Sequence, residues 1–75
     1  MPSDSRLPKQ FGKTVRELRL AGGWTQMGLA ERADLTLNYI GEIERGEKLV
    51  SLGTIVKVAA ALGTSGADLL RKSGL

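Results

Sequence analysis

Twenty residues, QMGLAERADLTLNYIGEIER at positions 26–45, constrain this chain more tightly than any other part of it. Leu29, Ala30 and Ala33 recur at helical spacing, Asp34 interrupts, and Leu35, Ile40 and Ile43 supply a second apolar face. The pattern predicts two short helices joined by a tight corner, a helix-turn-helix. Ala30 is small where two steeply crossed helices must approach closely. Asp34 stands where the chain has to leave the right-handed region, and Asp is one of the few residues that tolerate the left-handed one. Thr36 is placed to cap the second helix.

The rest of the chain limits what this motif can be used for. Among 75 residues there is no cysteine and no histidine, so disulfide staples, Cys/His zinc sites and histidine-based acid-base chemistry are excluded by composition. A chain this short buries only about 60% of its unfolded surface, so it must fold by packing and gains from a partner subunit. No run approaches the roughly 18 apolar residues of a membrane span. The opening segment MPSDSRLP lacks the apolar centre of a signal peptide, and a cytoplasmic protein is expected. Nothing combines a nucleophile, a base and a pocket, so an enzyme is not expected, and neither is a cofactor, metal or small-molecule ligand.

Charge is unevenly spread. The net charge is +3, yet residues 26–45 carry Arg32 and Arg45 against Glu31, Asp34, Glu42 and Glu44, a balance of −2. Residues 9–20 carry Lys9, Lys13, Arg16 and Arg19 against Glu17, a balance of +3. If the motif enters nucleic acid, attraction to phosphates has to come from its flanks and from backbone amides.

Taken in order, residues 1–8 hold two prolines and no periodicity and are expected to form a flexible arm, with Arg6 its one residue suited to a DNA contact. Phe11, Val15 and Leu18 mark helix 1, which runs from Lys9 to the breaker pair Gly22-Gly23; Lys13 and Arg16 lie on its other face, either solvated or on phosphates. Trp24 is expected in the core, and Thr25 caps helix 2, residues 26–33. Helix 3, residues 37–45, turns Ile40 and Ile43 inward and Leu37, Asn38, Gly41, Glu42 and Arg45 outward, with Tyr39 beside them. Ser51 caps a fourth helix with Leu52, Ile55, Val56, Ala59 and Leu62 as its apolar stripe, and Ser65 caps a fifth, residues 66–72. Leu69, Leu70 and Leu75 near the end form either a lid on the core or a dimer surface, to which Val50 is added. The expected architecture is all-α: a five-helix domain over residues 9–75 behind the arm.

Those residues carry a resemblance. VRELR in helix 1, WTQ-x-x-LA at the start of helix 2, IERG at the end of helix 3 and SLGTIVKVAAALG in helix 4 are together similar to the phage-repressor and Cro type of DNA-binding domain, the xenobiotic-response-element family. The similarity covers about residues 9–72 and implies a lambda-repressor-like fold. Within the family, YIGEIERGEKLVSLGTI resembles the controller proteins of restriction-modification systems, small dimers that regulate their own operon.

The resemblance implies roles. Gln26 matches a glutamine that bonds a phosphate and braces the recognition helix, and Thr36, Leu37, Asn38, Glu42 and Arg45 match base-reading positions. Lys13, Arg16, Tyr39 and Lys48 are the further candidates for the DNA backbone, and Arg19 and Glu44 match an ion pair between helices 1 and 3. Leu37, apolar where a polar reader is common, suits a thymine methyl; Asn38 suits adenine, Arg45 guanine or a phosphate, and Glu42 a cytosine amine. The expected function is a homodimeric, sequence-specific transcription regulator on near-palindromic double-stranded DNA. The alternative is a protein-binding module, an antitoxin or adaptor, with the same helices.

Overall fold

The structure, a computed structural model, describes residues 6–75. Among them are five helices and no strand: α1 (Arg6–Ala21), α2 (Gln26–Ala33), α3 (Leu37–Glu44), α4 (Leu52–Ala61) and α5 (Gly66–Lys72). The helices after α1 all begin the same way. Thr25, Thr36, Ser51 and Ser65 have extended backbones, and each hydroxyl accepts the amide three residues on, at Gly28, Tyr39, Thr54 and Asp68. Each bond satisfies a donor that has no partner inside its helix.

Helix 1 begins three residues before its expected start. Arg6, Leu7 and Pro8 are its first turn, so the arm does not extend to residue 8. Proline is accommodated there because first-turn amides have no intrahelical acceptor to lose. Residues 1–5, the remainder of the expected arm, lie outside the described residues.

The core is Phe11 and Val15 of α1, Leu29, Ala30 and Ala33 of α2, Ile40 and Ile43 of α3, Val58, Ala59 and Ala61 of α4, and Leu69 of α5. Helix 1 packs on α3 and α5, and α4 on α2 and α5, so every helix contributes to one interior. The radius of gyration, 11.2 Å, is what a close-packed chain of this length requires, about 11 Å. Packing alone achieves this.

Three sequence expectations about burial are corrected. Helix 4 buries Thr54, Val58 and Ala59, whereas Leu52 and Val56, expected inside, are 80% and 62% exposed. Its apolar surface is wider than its neighbours cover, and α2 and α5 lie against the side that includes Thr54 and Val58. Trp24 is only half-buried: the Arg32 guanidinium lies 4.3 Å from its ring centre, and Arg32 Nε donates to the Ala61 carbonyl at 3.1 Å. The tryptophan is therefore covered by a cation rather than enclosed by aliphatic groups. Leu69, offered for a dimer surface, is wholly buried and cannot serve there.

Candidate nucleic-acid interface

The corner between α2 and α3 is built by backbone geometry. Asp34 adopts φ 56° and ψ 46°, the left-handed conformation, which lets its amide reach Glu31 O and lets Leu35 N reach Ala30 O at 2.9 Å. This paired arrangement closes the last carbonyls of α2, and half-buried Leu35 packs against the core behind it. The chain then turns at once into the Thr36 cap, whose hydroxyl accepts Tyr39 N at 3.1 Å.

Behind α3 lies a charged brace. Arg19 Nε donates to Glu44 Oε2 at 2.6 Å and Arg19 Nη2 to Glu44 Oε1 at 2.9 Å, while Nη1 donates to Trp24 O at 2.9 Å. Gln26 Nε2 adds a bond to Glu44 Oε1 at 3.1 Å. Glu44 thus joins α1, α2 and α3 at one point. The Arg19 and Glu44 side chains are only 9% and 3% exposed, and the hydrogen bonds that Arg19 donates to Glu44 raise the Arg19 pKa above its ordinary value. Both are spent on structure.

Beside this brace α1 and α3 nearly touch. A Cβ on Gly12 would fall 2.0 Å from Ile43 O, so only glycine permits the crossing. Gly12 was not singled out in the sequence, where it falls within an ordinary helical run.

On the outer face, Leu37 and Asn38 are exposed in the first turn of α3, next to exposed Thr36. Glu42 is half-buried, and its Oε2 lies 3.8 Å from Lys48 Nζ, so these two candidates offset one another. Arg45 ends the helix, with Nε 2.7 Å from Glu47 Oε2 and Nη2 3.3 Å from Oε1. This pairing raises the Arg45 pKa and holds the Glu47 carboxyl below its usual range. Gly41, expected on the outer face, is buried beneath Arg45. Tyr39 is half-buried, its hydroxyl 3.5 Å from Thr54 Oγ1 at the start of α4.

The flanks are less uniform than the sequence suggests. At 100° per residue, Lys9 and Arg16 lie on the edge of α1 next to Gly12, the edge facing α3. Lys9 sits over the turn that ends α3: a Cβ on Gly46 would lie 2.7 Å from Lys9 Cγ. Lys13 is turned further round, where with Gln10, Glu17 and Lys72 it lines a polar groove between α1 and the end of α5. Lys9 therefore joins the candidates for backbone contact, whereas Lys13 lies on the side of α1 toward the end of α5. The seven-residue spacing from Lys9 to Arg16 was the available signal.

Among the described residues no group of acidic side chains is placed to hold a metal ion, and no helix is long and apolar enough to cross a membrane.

Comparison with known proteins agrees with this geometry. The profile of a family described as a helix-turn-helix domain matches residues 10–71. The control protein C.BamHI of Bacillus amyloliquefaciens is 46% identical over 80% of this chain and 75% of its own length. The crystal structure of the restriction-modification controller protein C.AhdI from Aeromonas hydrophila is 42% identical, with a TM-score of 0.80 over 83% of this chain and 94% of that one. The clp gene regulator ClgR from Corynebacterium glutamicum is 37% identical, with a TM-score of 0.86 over 91% and 87% of the two chains. The chain belongs to the helix-turn-helix domain family, among its DNA-binding transcription regulators.

Proposed function

We propose that this protein is a homodimeric regulator that binds a near-palindromic operator and controls its own operon, as a restriction-modification controller. The observation that carries the reading is the presentation of α3. Its first turn is capped and exposed at Thr36, Leu37 and Asn38, while its opposite end is braced from behind by Arg19, Glu44 and Gln26. A braced helix offering a capped, solvated first turn is the geometry that reads base edges in the major groove. The similarity to C.BamHI and C.AhdI supports the narrower role of controller. Such a protein works in the cytoplasm, where its operator is.

In this reading Asn38 pairs with adenine, Leu37 packs on a thymine methyl, Thr36 supplies its hydroxyl hydrogen, and Arg45 takes guanine. Glu42 sets a further base preference. Lys9, Arg16, Lys48, Tyr39 and the remaining polar capacity of Gln26 hold phosphates, with Lys13 at the margin of the contact.

The second copy is accommodated by an exposed apolar surface. Leu49, 76% exposed, lines a groove with Val50, Ile55, Leu70 and Leu75, and Leu52 and Val56 of α4 are exposed as well. Pairing there buries what a lone monomer leaves in water. The dimer would set two α3 helices roughly 34 Å apart, one turn of DNA.

Fluorescence anisotropy against the DNA upstream of its own gene tests the function. Binding at least a hundredfold tighter than to random duplex is the expected result; equal affinity for both refutes it. An antitoxin or adaptor would instead co-purify with a second, different chain.

A further inference from the structure

The end of α3 holds more than a helix stop. Gly46, at φ 72°, reverses the chain so that Gly46 N reaches Ile43 O and Glu47 N reaches Glu42 O, both at 3.0 Å. That closure fixes Glu47 above the last turn, and its carboxylate takes the Nε and Nη2 hydrogens of Arg45. Arg45 meanwhile lies back along α3: a Cβ built on Gly41, one turn earlier, would be 2.9 Å from Arg45 Nη1 and 3.7 Å from Cζ. Side chains on a helix lean toward its N-terminus, and here the absence of a Cβ lets the guanidinium settle against the backbone. The side chain is still 59% exposed.

We propose that Gly41 and Glu47 form a cradle that holds Arg45 in its base-reading pose, making both positioning residues that determine specificity at one base pair in each half-site. This rests on Arg45 reading a base, as proposed above. A long, exposed arginine ordinarily samples many rotamers and must be ordered on binding, at a cost in affinity. The cradle orders it beforehand. Glu47 uses one side of the fork, leaving three N–H donors on Nη1 and Nη2, the pair that matches guanine O6 and N7. A carboxylate beside the DNA also repels phosphates, so Glu47 gives up general affinity in exchange for selectivity.

The test is a complete set of single base-pair variants of one half-site, titrated with the full chain and with Arg45→Ala, Gly41→Ala and Glu47→Ala. Wild type should prefer one base pair, a G·C, by about 5- to 150-fold, the range of one bidentate contact. Arg45→Ala should remove that preference. Glu47→Ala and Gly41→Ala should each reduce it at least threefold and leave the preferences attributed to Asn38 unchanged, while Glu47→Ala tightens binding to random DNA.

If Glu47→Ala tightens all variants by one common factor, Glu47 is only a repelling charge and the cradle is wrong. If Arg45→Ala changes no preference, Arg45 does not read a base and the cradle falls with it. If Arg45 matters but neither neighbour does, only the cradle is refuted. Glu47 is on the surface, so its variant tests the proposal even if Gly41→Ala folds poorly.

Discussion

Replacing Glu44 by alanine is the most informative single change to the scaffold. Glu44 accepts two bonds from Arg19 and one from Gln26, and removing it leaves a guanidinium almost wholly out of water with one remaining partner, Trp24 O. Breaking one side of a buried ion pair costs about 3–5 kcal/mol. The lower end applies, because the bond to Trp24 O persists and water can enter the vacated space; the expected loss is about 3 kcal/mol. A domain of this length has a total stability of roughly 4–11 kcal/mol, so the change removes a large part of it.

The double variant Arg19→Met with Glu44→Leu should recover most of that loss, since well-packed apolar replacements of buried ion pairs are often neutral or better. Urea unfolding followed by far-UV circular dichroism, at one fixed protein concentration because dimerisation shifts the midpoint, measures both. A loss below about 0.5 kcal/mol for Glu44→Ala, the scatter of ordinary surface changes, would refute the reasoning. So would strict additivity of the Arg19 and Glu44 single variants, which would show that the pair is not coupled.

Gly12→Ala should destabilise the fold by about 2 kcal/mol, because the added methyl meets the Ile43 carbonyl and outweighs the gain of about 1 kcal/mol in helix propensity. Calorimetry would then show a melting temperature lower by about 8–16 °C, and an unchanged or higher one would contradict the close approach. Leu69→Ala should cost about 2–5 kcal/mol at every protein concentration, as a core residue does. Leu52→Lys with Val56→Lys should instead leave the fold intact and shift sedimentation toward the monomer; a dimer that survives both charges places the interface elsewhere. Asn38→Ala should weaken the preferred operator by about 1–3 kcal/mol and relax sequence choice. Arg16→Ala should weaken all DNA alike and reduce the slope of log affinity against log salt by about 1, and a base-dependent effect would make Arg16 a reader.

Much of the fold could be read locally. Thr25, Thr36, Ser51 and Ser65 announce helix starts because a cap is a bond to an amide three residues away. Asp34 marks the corner because so few other residues tolerate its backbone angles. Where the sequence misled, the deciding contact lay far along the chain. Periodicity makes α4 apolar over more than one side but does not say which side α2 and α5 will cover, so Leu52 and Val56 were placed inside and are exposed. Adjacent Leu69 and Leu70 look alike in sequence, yet one is buried and the other only half so.

The sequence by itself therefore determined the number, limits and capping of most helices, the corner between α2 and α3, and which residues of the first turn of α3 face outward. These depend on interactions spanning three to five residues, whose rules are the same in any protein. The pairing of Arg19 with Glu44 was implied by the family resemblance, but tertiary structure alone decided that Gly12 must lack a side chain, that Gln26 joins that pair through Glu44, and that Arg45 lies over Gly41 against Glu47. Each of these depends on where one turn or helix comes to rest against another, to within an ångström, and neither periodicity nor charge pattern carries that distance.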